Sequence, residues 1–144
     1  MKASFPLPPG SVLGLMGGGQ LGRMFAQSAA TLGYRVAVLE KNTCPASEVS
    51  DQHIAAAYTD PAALASMKKI TAAVTTEFEN VPADALTHLA TGEDACITAP
   101  AADAVSVAQD RLTEKTFLEK TAGIPVAPHA AVLSEADADT LSED

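Results

Sequence analysis

Only two cysteines occur, Cys44 and Cys96, and they lie too far apart for a C-x-x-C motif. Each reads as a small reduced core or surface residue, not as half of a disulfide or a metal pair. Histidine is as sparse. His53, His88 and His129 show no metal-ligand spacing to one another or to the cysteines, so no metal site is expected in this segment. Basic residues number nine against eighteen Asp and Glu, a formal net charge of −9, and Lys68-Lys69 is their only adjacent pair. That scatter excludes a nucleic-acid-binding stripe and leaves any anionic ligand to local dipoles and a few cations. No apolar run approaches the ~18 residues of a membrane span. The first ten residues carry prolines and one lysine but no apolar h-region, so no secretory signal is read there and the default compartment is the cytoplasm.

What the chain does have is an apolar fraction of 47% over 144 residues, enough for one domain with its own core. It also has one distinctive stretch, residues 12–23, V-L-G-L-M-G-G-G-Q-L-G-R. A short apolar strand runs into Gly17, Gly18 and Gly19, and Gln20-Leu21-Gly22-Arg23 opens a long helical pattern. A strand-to-helix bend aims unpaired amide groups and the positive end of the helix dipole at whatever sits above it, and glycines let the ligand approach. A phosphate or carboxylate is the expected occupant. Gly17, Gly19 and Gly22 also satisfy the dinucleotide pattern G-x-G-x-x-G, with Glu40 closing the next strand where a ribose-binding acid belongs. The plainer alternative is a tight turn whose glycines serve close helix–strand packing.

Along the chain the pattern alternates strand and helix. A loose leader over residues 1–10 precedes a strand at 12–16, a helix at about 20–32 with Leu21, Met24, Phe25, Ser28, Ala29 and Leu32 on its inner face, and a strand at 35–39. A loop over 42–52 and a short strand near 53–57 follow. Asp60-Pro61 caps a helix over 61–69, then come a strand at 72–76, a helix at 82–90, a strand at 95–98, and helices at 102–108 and 111–122. This order predicts an α/β fold with a doubly wound, mostly parallel Rossmann-like sheet. The acidic residues 134–144 end the chain.

In such sheets ligands sit beyond the carboxyl ends of the strands, where both the glycine bend and Glu77-Phe78-Glu79-Asn80 fall. Continued extended backbone would point Glu77 and Glu79 to one side and Phe78 into the core. The two carboxylates would then accept hydrogen bonds from an amine or from ribose hydroxyls, or else be solvated or cap the helix near Pro82. Asp110 reads as an N-cap, and Arg111 in the first turn opposes the dipole preference, which an anionic partner such as phosphate would explain.

Four stretches in this order and spacing carry a resemblance: Gly17-Gly18-Gly19-Gln20-Leu21-Gly22-Arg23-Met24, Glu77-Phe78-Glu79-Asn80-Val81-Pro82, Gln109-Asp110-Arg111-Leu112 with Lys115 and Phe117-Leu118, and Gly123-Ile124-Pro125-Val126-Ala127-Pro128. Together they resemble the amino-terminal part of the ATPase subunits of phosphoribosylaminoimidazole carboxylase, the 5-(carboxyamino)imidazole ribonucleotide synthases of the ATP-grasp superfamily. The resemblance implies a ligase of purine biosynthesis. ATP and bicarbonate would give carboxyphosphate, and its carbon dioxide would be captured by the amine of 5-aminoimidazole ribonucleotide. It implies substrate binding by Gly19, Gln20, Leu21, Gly22, Glu77 and Glu79, with Glu79 meeting the amine or ribose side, and ATP binding by Arg111. No catalytic residue and no ligand of the Mg²⁺ that accompanies ATP is expected within the segment. The family is commonly a cytoplasmic homodimer acting on small molecules, without nucleic acid or membrane partners.

Family members are more than twice as long, so residues 1–10 are read as a leader, 11–108 as the Rossmann-like pre-ATP-grasp domain, and 109–144 as a linking helix and the truncated start of the ATP-grasp domain. A fragment of this kind is expected to be inactive alone. Two other readings compete. One is an NAD(P)-binding domain of an oxidoreductase, on the glycine pattern and Glu40; the other is a non-catalytic α/β interaction module.

Overall fold

A computed structural model describes residues 6–141. Residues 1–5 of the expected leader and 142–144 of the acidic end lie outside them. The described residues divide into two compact units, one up to Ser106 and one from Val107.

The first unit is a five-stranded parallel sheet with helices on both faces, as expected. Its strands are β1 (Val12–Met16), β2 (Arg35–Leu39), β3 (Gln52–Ile54), β4 (Ala73–Thr76) and β5 (Ile97–Thr98), in the spatial order β3-β2-β1-β4-β5. β1 is central, with Leu13 opposite Val36 on one side and Ala73 on the other. Side chains alternate across it. Leu15 joins Val36, Val38, Ala26 and Ala29 on the face covered by α1 (Gln20–Thr31). Met16 joins Leu39, Leu64, Met67, Val74, Leu86 and Leu89 on the face covered by α2 (Pro61–Ile70) and α3 (Ala83–Ala90). The helix α4 (Ala102–Ala108) contributes buried Val105 to this second layer. A cis peptide joins Ala99 to Pro100 after β5.

Local punctuation behaves as expected. The Asp60 carboxylate accepts from the Ala63 amide at 2.8 Å with Pro61 at the first helical position, and Gly33 turns the chain at φ +82° after α1. Residues 6–11 are tied down: the Tyr34 hydroxyl donates to the Leu7 carbonyl at 2.9 Å, and the Gly10 amide to the Gly33 carbonyl at 2.7 Å.

The inner face of α1 differs from expectation. Leu21, Met24 and Leu32 are more than half exposed, and the buried positions are Gly22, Ala26 and Ala29. Small residues bring the helix axis close to the sheet. A Cβ at Gly22 would lie 3.0 Å from Leu15 Cδ2 and 3.1 Å from the Gly17 carbonyl oxygen, so bulk is excluded from this side and displaced outward.

In the second unit, α5 (Arg111–Thr116) is capped by Asp110, whose carboxylate accepts from the Thr113 amide at 2.7 Å. The expected helix to residue 122 widens into a π-helical turn, Phe117–Thr121. The acidic end forms α6 (Glu135–Leu141).

Gly14 in the middle of β1 has no room for a methyl group, since a Cβ there would sit 2.7 Å from Val74 Cγ2 and 2.9 Å from Met67 Sδ. Gly14→Ala is expected to cost about 1–3 kcal/mol by overpacking. The check is the midpoint of urea unfolding at unchanged m-value; an unshifted midpoint would refute the packing described.

Candidate functional site

At the carboxyl end of β1 the chain turns through Gly17, whose φ of +111° only glycine adopts without strain, and enters α1 with Gly19 as its N-cap. The amides exposed by this turn do not face open space. β4 ends at Thr76, and the Glu77 amide bonds the Met16 carbonyl at 2.9 Å, which sets Glu77 beside the bend. Its carboxylate accepts from the Gly19 amide at 2.5 Å and from the Leu21 amide at 3.1 Å. The anion that a helix N-terminus attracts is thus supplied by the chain itself.

Of the two expected occupants, phosphate or carboxylate, the bend holds a carboxylate, and two of its amide donors are committed to Glu77. The expected geometry of the acidic pair is corrected. Backbone pairing stops at the Glu77 amide and residues 77–80 bend away, so Glu77 turns to the glycines while Glu79 is exposed, with Asn80 Nδ2 at 3.5 Å from its carboxylate. Phe78 is not in the core. It is 37% exposed, and its ring lies over Gly17, where an added Cβ would be 3.0 Å from Cε1.

The other flank of the bend is built from Glu40, Cys44 and Tyr58. A Cβ at Gly18 would collide with Cys44 Sγ and lie 2.9 Å from Glu40 Cγ. Glu40 follows β2 and is held from several sides. The Tyr58 hydroxyl donates to its carboxylate, the Lys41 amide donates to the other carboxylate oxygen at 2.8 Å, and His53 Nε2 lies 2.8 Å from its carbonyl oxygen. Tyr58 packs against Phe78 with ring centroids 6.2 Å apart at 60°. Burial foremost, then the hydrogen bond to Glu40 and the nearby charges of Glu40, Glu77 and Cys44, hold the Tyr58 phenol well above the ordinary tyrosine range. Tyr58 therefore stays a proton donor. Sequence reasoning passed over it; the available signal was its place just beyond the carboxyl end of β3.

The result is a rim around the glycine bend made of Glu77, Phe78, Tyr58 and Glu40. Beside it a hollow of about 160 Å³ is lined by Leu15, Leu21, Gly22, Phe25, Thr75, Thr76 and Glu77. The rim presents carboxylates and two aromatic rings, and the carboxylates suit a ligand rich in hydrogen-bond donors. Of the remaining sequence-derived site residues, Gln20 stands exposed in the first turn of α1 and Gly22 is buried against Leu15. Arg111 belongs to the second unit, where its guanidinium pairs with Glu114 one turn on, a local account of a cation in a first helical turn. A larger hollow, about 770 Å³, opens at the amino ends of the strands among residues 6–12, Arg35, Lys68 to Ala72 and Gly92 to Ala95. It is remote from the bend, and Lys68 and Lys69 in the last turn of α2 offset that helix's dipole there. Among the described residues no three His, Cys, Asp or Glu side chains gather as a metal site, and no helix is long and apolar enough to cross a membrane.

Comparison with known proteins agrees with this architecture. Residues 11–109 match the model of the ribonucleotide synthetase preATP-grasp domain. The chain belongs to that family. It is 48% identical over 130 residues to the N5-carboxyaminoimidazole ribonucleotide synthase of Brucella melitensis, covering 90% of this chain and 35% of the relative. Among solved structures, the ADP complex of an N5-carboxyaminoimidazole ribonucleotide synthetase superposes with a TM-score of 0.85 at 37% identity, covering 95% of this chain and 36% of that one. The Staphylococcus aureus synthetase complexed with ADP gives 0.82 at 39% identity, covering 95% and 37%. The chain spans about a third of the length of the curated relatives it matches.

Two outcomes test the site as this pre-ATP-grasp domain presents it. Glu77→Ala removes both acceptors at the α1 N-terminus and is expected to cost about 1–3 kcal/mol in urea unfolding; a loss below about 0.5 kcal/mol would contradict the cap. For Tyr58, the folded state keeps the phenol protonated where an unfolded tyrosine ionises near pH ~10. Above that pH the folded state binds more protons, so the stability this group contributes is full below about pH 10 and declines as pH rises. Titration of tyrosinate absorbance should therefore show a fraction that ionises only with unfolding, and Tyr58→Phe should abolish that fraction.

Proposed function

We propose that this chain is the amino-terminal substrate-binding part of an ATP-dependent carbon–nitrogen ligase of purine biosynthesis. The reaction converts 5-aminoimidazole ribonucleotide, bicarbonate and ATP to 5-(carboxyamino)imidazole ribonucleotide, ADP and phosphate. The name borne by its relatives supplies the reaction. What supports a role for this segment in it is one observation, the Glu77 carboxylate closed over the Gly19 and Leu21 amides. With those donors taken, the rim has acceptors to offer. A substrate carrying an exocyclic amine and ribose hydroxyls suits it, and its phosphate is held elsewhere.

In this reading Gly19, Gln20, Leu21 and Gly22 shape the floor of the substrate site, Glu77 fixes that floor, and exposed Glu79 meets the amine or ribose side. Exposed Arg111 meets ATP. Residues 11–108 are the binding domain, 109–144 begin the ATP-grasp domain, and residues 1–10 are a leader. Mg²⁺ would accompany ATP, but no cluster of acids among the described residues fits it, so no phosphoryl-transfer step is assigned to this chain. The full-length protein acts as a cytoplasmic homodimer on small molecules.

The NAD(P) reading fares worse on the same geometry. A dinucleotide pyrophosphate placed at the bend would meet the Glu77 carboxylate in place of free amides. The measurement that separates the two is thermal protection. 5-Aminoimidazole ribonucleotide near 100 times its Kd should add ~2.7 kcal/mol, and NADH at the same concentration should add nothing. Protection by NADH that is lost in Glu40→Ala would overturn the assignment.

A further inference from the structure

Glu40 remains unexplained by the function just proposed. It is a carboxylate at the mouth of the site, just past the end of β2, the strand next to β1, at the position where doubly wound sheets place a ribose-binding acid. A solvated glutamate would need no brace, yet this one has several. Its backbone amide donates to the Ile54 carbonyl at 3.2 Å, its carbonyl oxygen faces His53, and each carboxylate oxygen accepts one hydrogen bond, from Lys41 or from Tyr58. Tyr58 is itself fixed by its ring contact with Phe78, on the opposite flank of the bend. An ionised carboxylate offers about four acceptor directions, so two remain for a ligand. Glu40 is only half-buried, which leaves its carboxylate accessible.

We propose that Glu40, held by the Tyr58 hydroxyl beside Gly18, accepts hydrogen bonds from the vicinal ribose hydroxyls of the ribonucleotide bound at the glycine bend. Glu40 is then a specificity-determining residue and Tyr58 a positioning residue acting through it. The inference rests on the substrate reading above and extends it. The acid that suggests a dinucleotide site from sequence selects a ribose here as well, but the ribose of a mononucleotide, because Glu77 already closes the bend to a pyrophosphate.

The test compares binding of 5-aminoimidazole ribonucleotide and its 2′,3′-dideoxy analogue to the protein, to Glu40→Gln and to Tyr58→Phe, by calorimetric titration. A hydroxyl donating to a charged acceptor predicts that the protein prefers the ribonucleotide by at least about tenfold. Glu40→Gln should reduce that preference to about twofold or less, with affinity for the dideoxy analogue unchanged. Tyr58→Phe should reduce the preference by a smaller factor, again sparing the analogue, a split that general loosening of the fold would not produce. Glu40→Gln conserves size, and its amide can still accept from the Lys41 amide while donating to the Tyr58 oxygen, so the proposal stays testable even where Tyr58→Phe fails to fold. If both nucleotides bind and the preference is the same in Glu40→Gln as in the unaltered protein, the inference fails and the substrate reading stands. If neither nucleotide binds, both fall.

Discussion

The site depends on one interaction: a carboxylate from the end of β4 reaching across the sheet to the amides that open α1. Glu77 accepts from Gly19 and Leu21, and in doing so joins the central strand, its neighbour and the first helix at one point. Two hydrogen bonds to an ionised acceptor, aided by the helix dipole, are among the stronger local interactions available to a partly exposed group. They require the backbone at 17–19 to be bare. A Cβ on Gly17 would lie 2.7 Å from Glu77 Cβ, and one on Gly19 would strike the carboxylate itself. The glycines serve the approach of a ligand, as glycine loops do, but the first ligand is a side chain of the same chain.

From that constraint the character of the rim follows. With the bend's positive end neutralised internally, the groups left at the mouth are an acceptor and aromatic rings: Glu40 braced by Tyr58, and Phe78 lying over Gly17. Arg23, the arginine nearest the bend in sequence, turns away to Glu48 at 2.7 Å. In the reading proposed above, such a mouth would accept hydrogen bonds from donors on a ligand and offer little to a phosphate.

Much of the fold was legible because its punctuation is local. Gly33, Asp60-Pro61 and Pro82 end or begin elements through their own backbone preferences, and the helix and strand boundaries around them fall within a residue or two of expectation. The inner face of α1 was legible only in part, at Ala29 and half-buried Phe25, because apolar periodicity counts bulk whereas the sheet selects smallness. Gly22, Ala26 and Ala29 go inside, and Leu21, Met24 and Leu32 are left out. The direction of Glu77 was missed for a different reason: alternation along a strand predicts side-chain facing only while the strand continues, and β4 stops at Thr76. The partnership of Tyr58 with Glu40 spans eighteen positions and has no periodic or motif signal at all.

Amide hydrogen exchange tests the central claim most directly. If Glu77 caps the bend, the Gly19 and Leu21 amides exchange slowly in the protein and at least about tenfold faster in Glu77→Ala, as expected for losing a charge-assisted bond. The Arg23 amide, bonded to the Gly19 carbonyl at 3.0 Å, serves as the internal reference and should stay protected in both. Equal exchange of Gly19 and Leu21 with and without the Glu77 carboxylate, against an unchanged Arg23, would contradict the account.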